Sequence, residues 1–126
     1  KSAQAGREHA DLPFLLAAHR ALLAPLGLPG DLLDADFAQL DDDLAHLRAG
    51  RADAGQSARI SGAGEVWSSR LLAALLGPDW AWLDARAVLV VTHGELGARL
   101  DEQATRDALA DWRRANAQPN LVATGF

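Results

Sequence analysis

The apolar side chains between residues 33 and 47 recur at alternating spacings of four and three, the period of one face of an α-helix. The members of this series are Leu33, Phe37, Leu40, Leu44 and Leu47. Helix-breaking residues frame the pattern, with Pro29 and Gly30 before it and Gly50 after it. The first half of the chain is therefore predicted to be helical.

The same arguments predict three more helices and three short strands. The helices begin near Asp11, with Pro13 in the first turn, near Asp53, and near Asp101. The helix that begins near Asp53 runs to residue 76, and the helix that begins near Asp101 runs to residue 116. Strands are predicted at residues 80–84, 88–92 and 121–123. This is an α/β organisation, and because three short strands cannot complete a sheet, we expect partner strands outside this sequence.

Composition excludes several functional classes. A chain of 126 residues, 49% hydrophobic, has the size and composition of one globular domain. Its net charge of −5 disfavours a nucleic-acid surface, and it has no apolar run long enough to span a membrane. The absence of cysteine excludes disulfides and thiolate metal sites and is typical of a cytoplasmic protein. The four histidines lack the spacing of zinc ligands.

A group of acidic residues suggests a cation site as one interpretation. Its members are Asp34, Asp36, Asp41, Asp42 and Asp43. Consecutive aspartates on a helix point in different directions, and the run lacks the glycine and terminal glutamate of a calcium loop. We therefore interpret it as a solvated helix face.

The segment from Ser61 to Ser69 combines two glycines, one carboxylate and three serines. On a helix, Ser61, Ser68 and Ser69 would flank Glu65 and form a narrow polar notch. Glycine within a helix costs about 1 kcal/mol relative to alanine, a cost explained if something approaches the backbone closely. The alternative is a break between two helices, with Glu65 in the first turn of the second one.

Two features lie further along the chain. Asp84 and Arg86 are two residues apart, so on an extended strand both would face the same side and could form an ion pair. A second glycine-glutamate step, Gly94-Glu95, is rejected as a site because neither serines nor a strand are expected after it.

The order of these motifs resembles the catalytic domain of aspartate kinases, in the amino-acid kinase superfamily. The resemblance is clearest over residues 57–89. It rests on a glycine-glutamate step followed by serines one turn on, an aspartate-x-arginine at a strand end, and a final strand that runs into glycine-phenylalanine. In this sequence these are Gly64, Glu65, Ser68, Ser69, Asp84, Arg86, Gly125 and Phe126.

This resemblance implies a fold and a binding site. Residues 1–126 would form a mostly helical internal portion of an α/β/α sandwich, a partial domain that lacks the N-terminal phosphate-loop strand and the C-terminal nucleotide-binding part. Glu65 would hold the α-ammonium group of L-aspartate in a closed notch, which Ser68 and Ser69 line or buttress. Gly125 and Phe126 would lie at the mouth of the site, where backbone amides approach the substrate. No catalytic, cofactor-binding or metal-binding residue is predicted in this chain.

The resemblance also implies an activity for a longer enzyme. Full-length aspartate kinases use ATP and Mg²⁺ to phosphorylate the side-chain carboxylate of L-aspartate. Such an enzyme is expected to be a cytoplasmic homo-oligomer that binds neither nucleic acid nor membranes. Two glycine-rich family motifs are absent here: the opening lysine-phenylalanine-glycine-glycine strand and loop, which meets the phosphates, and the downstream glycine-arginine-glycine-glycine-serine-aspartate segment. We therefore expect this chain alone to bind no ATP and to be inactive.

Two other interpretations remain open at the level of the sequence. The chain could be a non-enzymatic helical interaction module in which the glycine notch is a close helix crossing. It could also be part of a related kinase of the same superfamily that acts on another amino acid.

Overall fold

The computed structural model describes residues 11–94 and 97–125. The chain divides into two units, Lys1–Ser61 and Gly62–Phe126. In chain order the elements are α1 (Leu12–Leu23), α2 (Asp34–Arg48), α3 (Ala54–Leu76), β1 (Trp80–Leu83), a 3-10 turn (Ala85–Ala87), β2 (Val91–Gly94), β3 (Gly97–Leu100), α4 (Glu102–Ala115) and β4 (Asn120–Ala123). The prediction of a mostly helical α/β chain with a few short strands is confirmed.

The first unit is built on the predicted leucine-rich series. Four of its members are buried, while Leu47 at the end of α2 is 44% exposed. α1 begins with Pro13 in its first turn, as predicted. Gly50 ends α2 with a left-handed φ of 65°, and two backbone bonds of the Schellman type close the helix there, from Gly50 to Leu47 and from Arg51 to His46.

Asp43 corrects the interpretation of the acidic run as a solvated face. Its side chain is 1% exposed and receives two hydrogen bonds from Arg59, at 2.9 Å and 2.6 Å. The neighbouring Asp41 and Asp42 are exposed, as expected. Asp43 differs because its partner lies on another helix, 16 residues away, and a buried carboxylate is stable when it is paired and hydrogen-bonded.

α3 is one continuous helix, so the alternative of a break at the glycines is wrong. It starts after Asp53, as predicted. The Asp53 carboxylate accepts a hydrogen bond from the backbone amide of Gln56, and the Gln56 side-chain oxygen accepts one from the backbone amide of Asp53. This reciprocal pair is a capping box. The buried positions of α3 are Gly62, Val66, Trp67 and Ala73.

The second unit contains a parallel strand pair formed by β1 and β4. The register runs from Trp80 opposite Asn120 to Leu83 opposite Ala123. Both strands were predicted, and Ala81 and Leu83 of β1 are buried. α4 also begins where predicted, because the side chain of Asp101 accepts the amide of Ala104 as an N-cap.

The strand predicted at residues 88–92 is present, but it begins and ends later than predicted. Val88 ends the 3-10 turn, and the strand begins only at Val91, where β2 pairs with β3 in an antiparallel hairpin. Val88 is buried, so the β-branched run at this point reflects packing in the core rather than strand pairing. The strand β3 was not predicted, because its four residues are all exposed and give no apolar alternation. The statement that no strand follows Gly94 is therefore wrong.

Candidate functional site

The carboxyl ends of the two parallel strands lie side by side in the second unit. β1 ends at Leu83 and β4 at Ala123, which are partners in register. Beyond them, the amide of Thr124 donates to the carbonyl of Leu83 at 3.0 Å, and the Thr124 hydroxyl accepts the amide of Ala85 at 2.9 Å. Thr124 is buried. Ligands of α/β proteins bind preferentially outside this edge of the sheet.

Glu65 reaches this edge from α3. Its Oε1 accepts the amide of Gly125 at 2.9 Å, which joins two residues that are 60 positions apart in the sequence. The structure thus brings together two of the five residues that were predicted to bind substrate. Glu65 is exposed, however, so the expectation of a closed notch around it is wrong for this chain.

The two serines do not point their hydroxyl protons at Glu65. Ser68 is exposed and donates to the carbonyl of Gly64 at 2.7 Å, and Ser69 donates to the carbonyl of Val66 at 2.9 Å. A hydroxyl has one proton to donate, so both are committed to their own helix. Ser69 also accepts the indole N–H of Trp82 at 2.9 Å, which links α3 to β1.

The remaining predicted positions have different outcomes. Phe126 lies outside the described residues. Ser61 donates to the carbonyl of Ser57, one turn earlier in α3. A Cβ added to Gly64 would meet nothing within 4 Å, so the described residues contain no close approach to the backbone at that glycine.

Asp84 and Arg86 form the predicted ion pair through two hydrogen bonds of 2.8 Å and 2.6 Å. The geometry differs from the prediction, because Asp84 caps the 3-10 turn and also accepts the backbone amide of Arg86, whereas an extended chain was expected. The hydrogen bond from the Arg86 side chain lowers the pKa of Asp84, against the opposing effect of partial burial.

A second cation lies near the same strand end. The guanidinium of Arg70 stacks over the ring of Trp82, 3.8 Å from its centroid, and its charge also lowers the pKa of Asp84. Sequence reasoning did not identify Arg70, Trp82 or Thr124 as parts of this edge. The feature of the sequence that could have indicated Thr124 is its position directly before Gly125.

The chemistry available at this edge is that of a hydrogen-bonded carboxylate. The amide of Gly125 engages Oε1 of Glu65, and Glu65 has a second oxygen that can accept a bond from an ammonium group or another donor. The described part of the chain contains no group of three histidine, aspartate or glutamate side chains that could hold a metal ion. Within that part, no helix is both long enough and apolar enough to cross a bilayer.

Sequence comparisons find related proteins in plants. The chain is 36% identical, over 91% of its length, to the bifunctional aspartokinase/homoserine dehydrogenase 1, chloroplastic, of Arabidopsis thaliana. It is 29% identical over 91% of its length to the corresponding protein 2 of the same plant. It is also 34% identical, over 76% of its length, to a protein of this description from Daucus carota.

These alignments cover a small part of each relative. The chain spans 14% of the length of the two Arabidopsis proteins and 12% of the carrot protein. No family model and no solved structure matches the chain.

Proposed function

This chain is related to aspartokinases, and we propose that it forms part of the catalytic domain of an aspartate kinase, an enzyme that transfers the γ-phosphoryl group of ATP to the side-chain carboxylate of L-aspartate. The observation that carries the proposal is the contact between Glu65 and Gly125. These residues come from two separate motifs of the resemblance, and they meet at the strand edge where α/β proteins bind ligands.

In this proposal Glu65 binds the α-ammonium group of aspartate. An ionised carboxylate with a free acceptor position forms a charge-assisted hydrogen bond to an ammonium group. Holding the amino acid at that end would orient its side-chain carboxylate, and phosphoryl transfer depends mainly on such positioning. Ser69 would act through Trp82 by fixing α3 against β1, rather than by touching substrate. Ser68, Gly125 and Phe126 would border the same site.

ATP and Mg²⁺ are proposed for the longer enzyme and not for this chain. The described residues contain no group of three histidine, aspartate or glutamate side chains that could hold a metal ion, and no step through the nucleotide or the metal is derived from them. The resemblance to aspartate kinases is also the basis for proposing that the longer enzyme is a homo-oligomer and is cytoplasmic. The plant relatives carry the word chloroplastic in their names. The proposal does not extend to the dehydrogenase activity in those names, because the motifs of the resemblance are those of the kinase.

The experiment is aspartate-dependent acyl-phosphate formation, trapped with hydroxylamine, by the longer protein that contains this chain. Glu65→Gln should raise the KM for aspartate by about ten- to a hundredfold, because a hydrogen bond to a charged group contributes roughly 1.5–3 kcal/mol. The same change at the exposed Glu102, in the first turn of α4, is the matched control and should leave KM unchanged.

Each outcome decides between the interpretations. An active enzyme in which Glu65→Gln has no effect would retain the kinase assignment and reject the role of Glu65. A folded longer protein that phosphorylates glutamate but not aspartate would point to a related amino-acid kinase, and one that phosphorylates neither would refute the proposal.

A further inference from the structure

The backbone amide of Gly125 donates its hydrogen bond to the side chain of Glu65. An amide N–H has one proton, and that proton is directed at Oε1 of Glu65 at 2.9 Å. We propose that Gly125 is a positioning residue: its amide fixes one oxygen of the Glu65 carboxylate, and its missing side chain leaves the space in which that oxygen lies. The contact between Gly125 and Glu65 does not depend on the proposed function; only the identity of the ligand that Glu65 binds rests on it.

The space beside Gly125 is taken up by the same carboxylate oxygen that accepts its hydrogen bond. A Cβ added to Gly125 would lie 2.8 Å from Oε1 of Glu65, shorter than the contacts that real Cβ atoms make. This oxygen is the end of a flexible, exposed side chain, so the carboxylate can move aside at little cost, and its hydrogen bond to the amide would change when it does. Gly125 is not among the glycines with a positive φ, so a side chain at this position would act on the neighbouring carboxylate and not on the backbone conformation.

The amide is itself held in place by the strand ends. The residue before it, Thr124, is tied to β1 by its backbone amide and by its buried hydroxyl. These two bonds fix the direction in which the chain leaves β4. The hydrogen bond from Gly125 therefore holds the Glu65 carboxylate at the strand edge and restricts the rotation of its side chain. The second oxygen of this carboxylate can then accept a hydrogen bond from a ligand.

The direct test is NMR on the 126-residue chain. The amide proton of Gly125 should shift as acidification protonates Glu65, and Glu65→Gln should remove this component of the titration while keeping the fold. Asp84, Arg86 and Arg70 lie near the same strand end, so the difference between the wild-type and Glu65→Gln titrations, repeated in an Asp84→Asn background, isolates Glu65. An identical Gly125 titration with and without Glu65→Gln would overturn the proposal.

The second test measures the consequence in the longer enzyme. Gly125→Ala should raise the KM for the amino acid by about ten- to a hundredfold, with a much smaller effect on the KM for ATP, since misplacement of a binding group by about 1 Å can cost that much. Gly30→Ala is the matched control, because a Cβ there meets nothing within 4 Å. Loss of active protein alone would lower kcat and leave KM unchanged, and that result would overturn the positioning role.

The two proposals can fail separately. A chain in which Gly125 reports the protonation of Glu65, within a longer protein that phosphorylates no amino acid, would retain the contact and refute the aspartate kinase function. An active aspartate kinase with wild-type KM in Gly125→Ala would refute the positioning role alone.

Discussion

At the scale of single residues, Asp43 is the group whose environment departs most from what the sequence indicates. A run of three aspartates on a helix predicts solvent exposure, and two of the three are exposed. The third is buried because Arg59 of α3 meets it with two hydrogen bonds. Such a contact is tertiary, so no local pattern could reveal it. The contact between Glu65 and Gly125 is similar, since only the resemblance to a known family placed these residues near one another.

Replacing Asp43 tests the value of its pair with Arg59. Asp43→Asn should lower the free energy of unfolding by about 1–3 kcal/mol, below the range for fully buried pairs because Arg59 is 41% exposed. The exposed neighbour provides a matched control, and Asp42→Asn should change stability by no more than about 0.5 kcal/mol. Urea denaturation followed by circular dichroism measures both. Equal effects of the two substitutions would show that the pair contributes nothing.

The same pair predicts a pH dependence. The Arg59 hydrogen bonds lower the pKa of Asp43 from its ordinary value of 3.8, outweighing the opposing effect of burial. A carboxylate with a lowered pKa in the folded state contributes stability that is present above the ordinary value and is lost as the pH falls through the lowered one. The stability difference between wild type and Asp43→Asn should therefore be constant near neutral pH and shrink below about pH 4.

At the scale of elements, the helices were predictable and the hairpin was not. Helix signals are local: the apolar period, Pro13 in a first turn, the capping box at Asp53 and the glycine after α2 all lie within a few residues of the element that they define. The strand β3 has no such signal, because it is held by pairing with β2 and exposes every side chain. The start of β2 was misplaced for a related reason, since burial of Val88 resembled strand propensity.

The glycine at position 64 of α3 gives a prediction at this scale. Gly64 is exposed within a continuous helix, and a Cβ there would meet nothing within 4 Å. Gly64→Ala should therefore stabilise the isolated chain by about 0.5–1 kcal/mol in urea denaturation. Gly77→Ala is the contrasting control. Gly77 has a φ of 95°, which alanine adopts only with strain, so this change should destabilise the folded chain. Destabilisation by Gly64→Ala would show that the backbone is closely approached after all.

Across the described part of the chain, the sheet structure consists of short strand pairs. The two strand pairs described here, β1 with β4 and β2 with β3, are each two-stranded. Two-stranded sheets are marginally stable alone, and their outer edges carry unpaired backbone groups that can recruit other strands. Leu121 of β4 is 40% exposed beside such an edge. The expectation of partner strands beyond this sequence stays a prediction.

Uncovered edges and apolar residues predict that the isolated chain associates with itself. Sedimentation velocity over a dilution series should show a weight-average mass that rises with concentration. Leu121→Lys should reduce this association, because a lysine at a strand edge opposes further pairing through its charge and hydration. Ala110→Lys, at an exposed position of α4, adds the same charge away from the sheet and should have little effect. A chain that stays monomeric at all concentrations would show that these edges are protected. If both lysine variants reduced association equally, net charge rather than the β4 edge would be responsible.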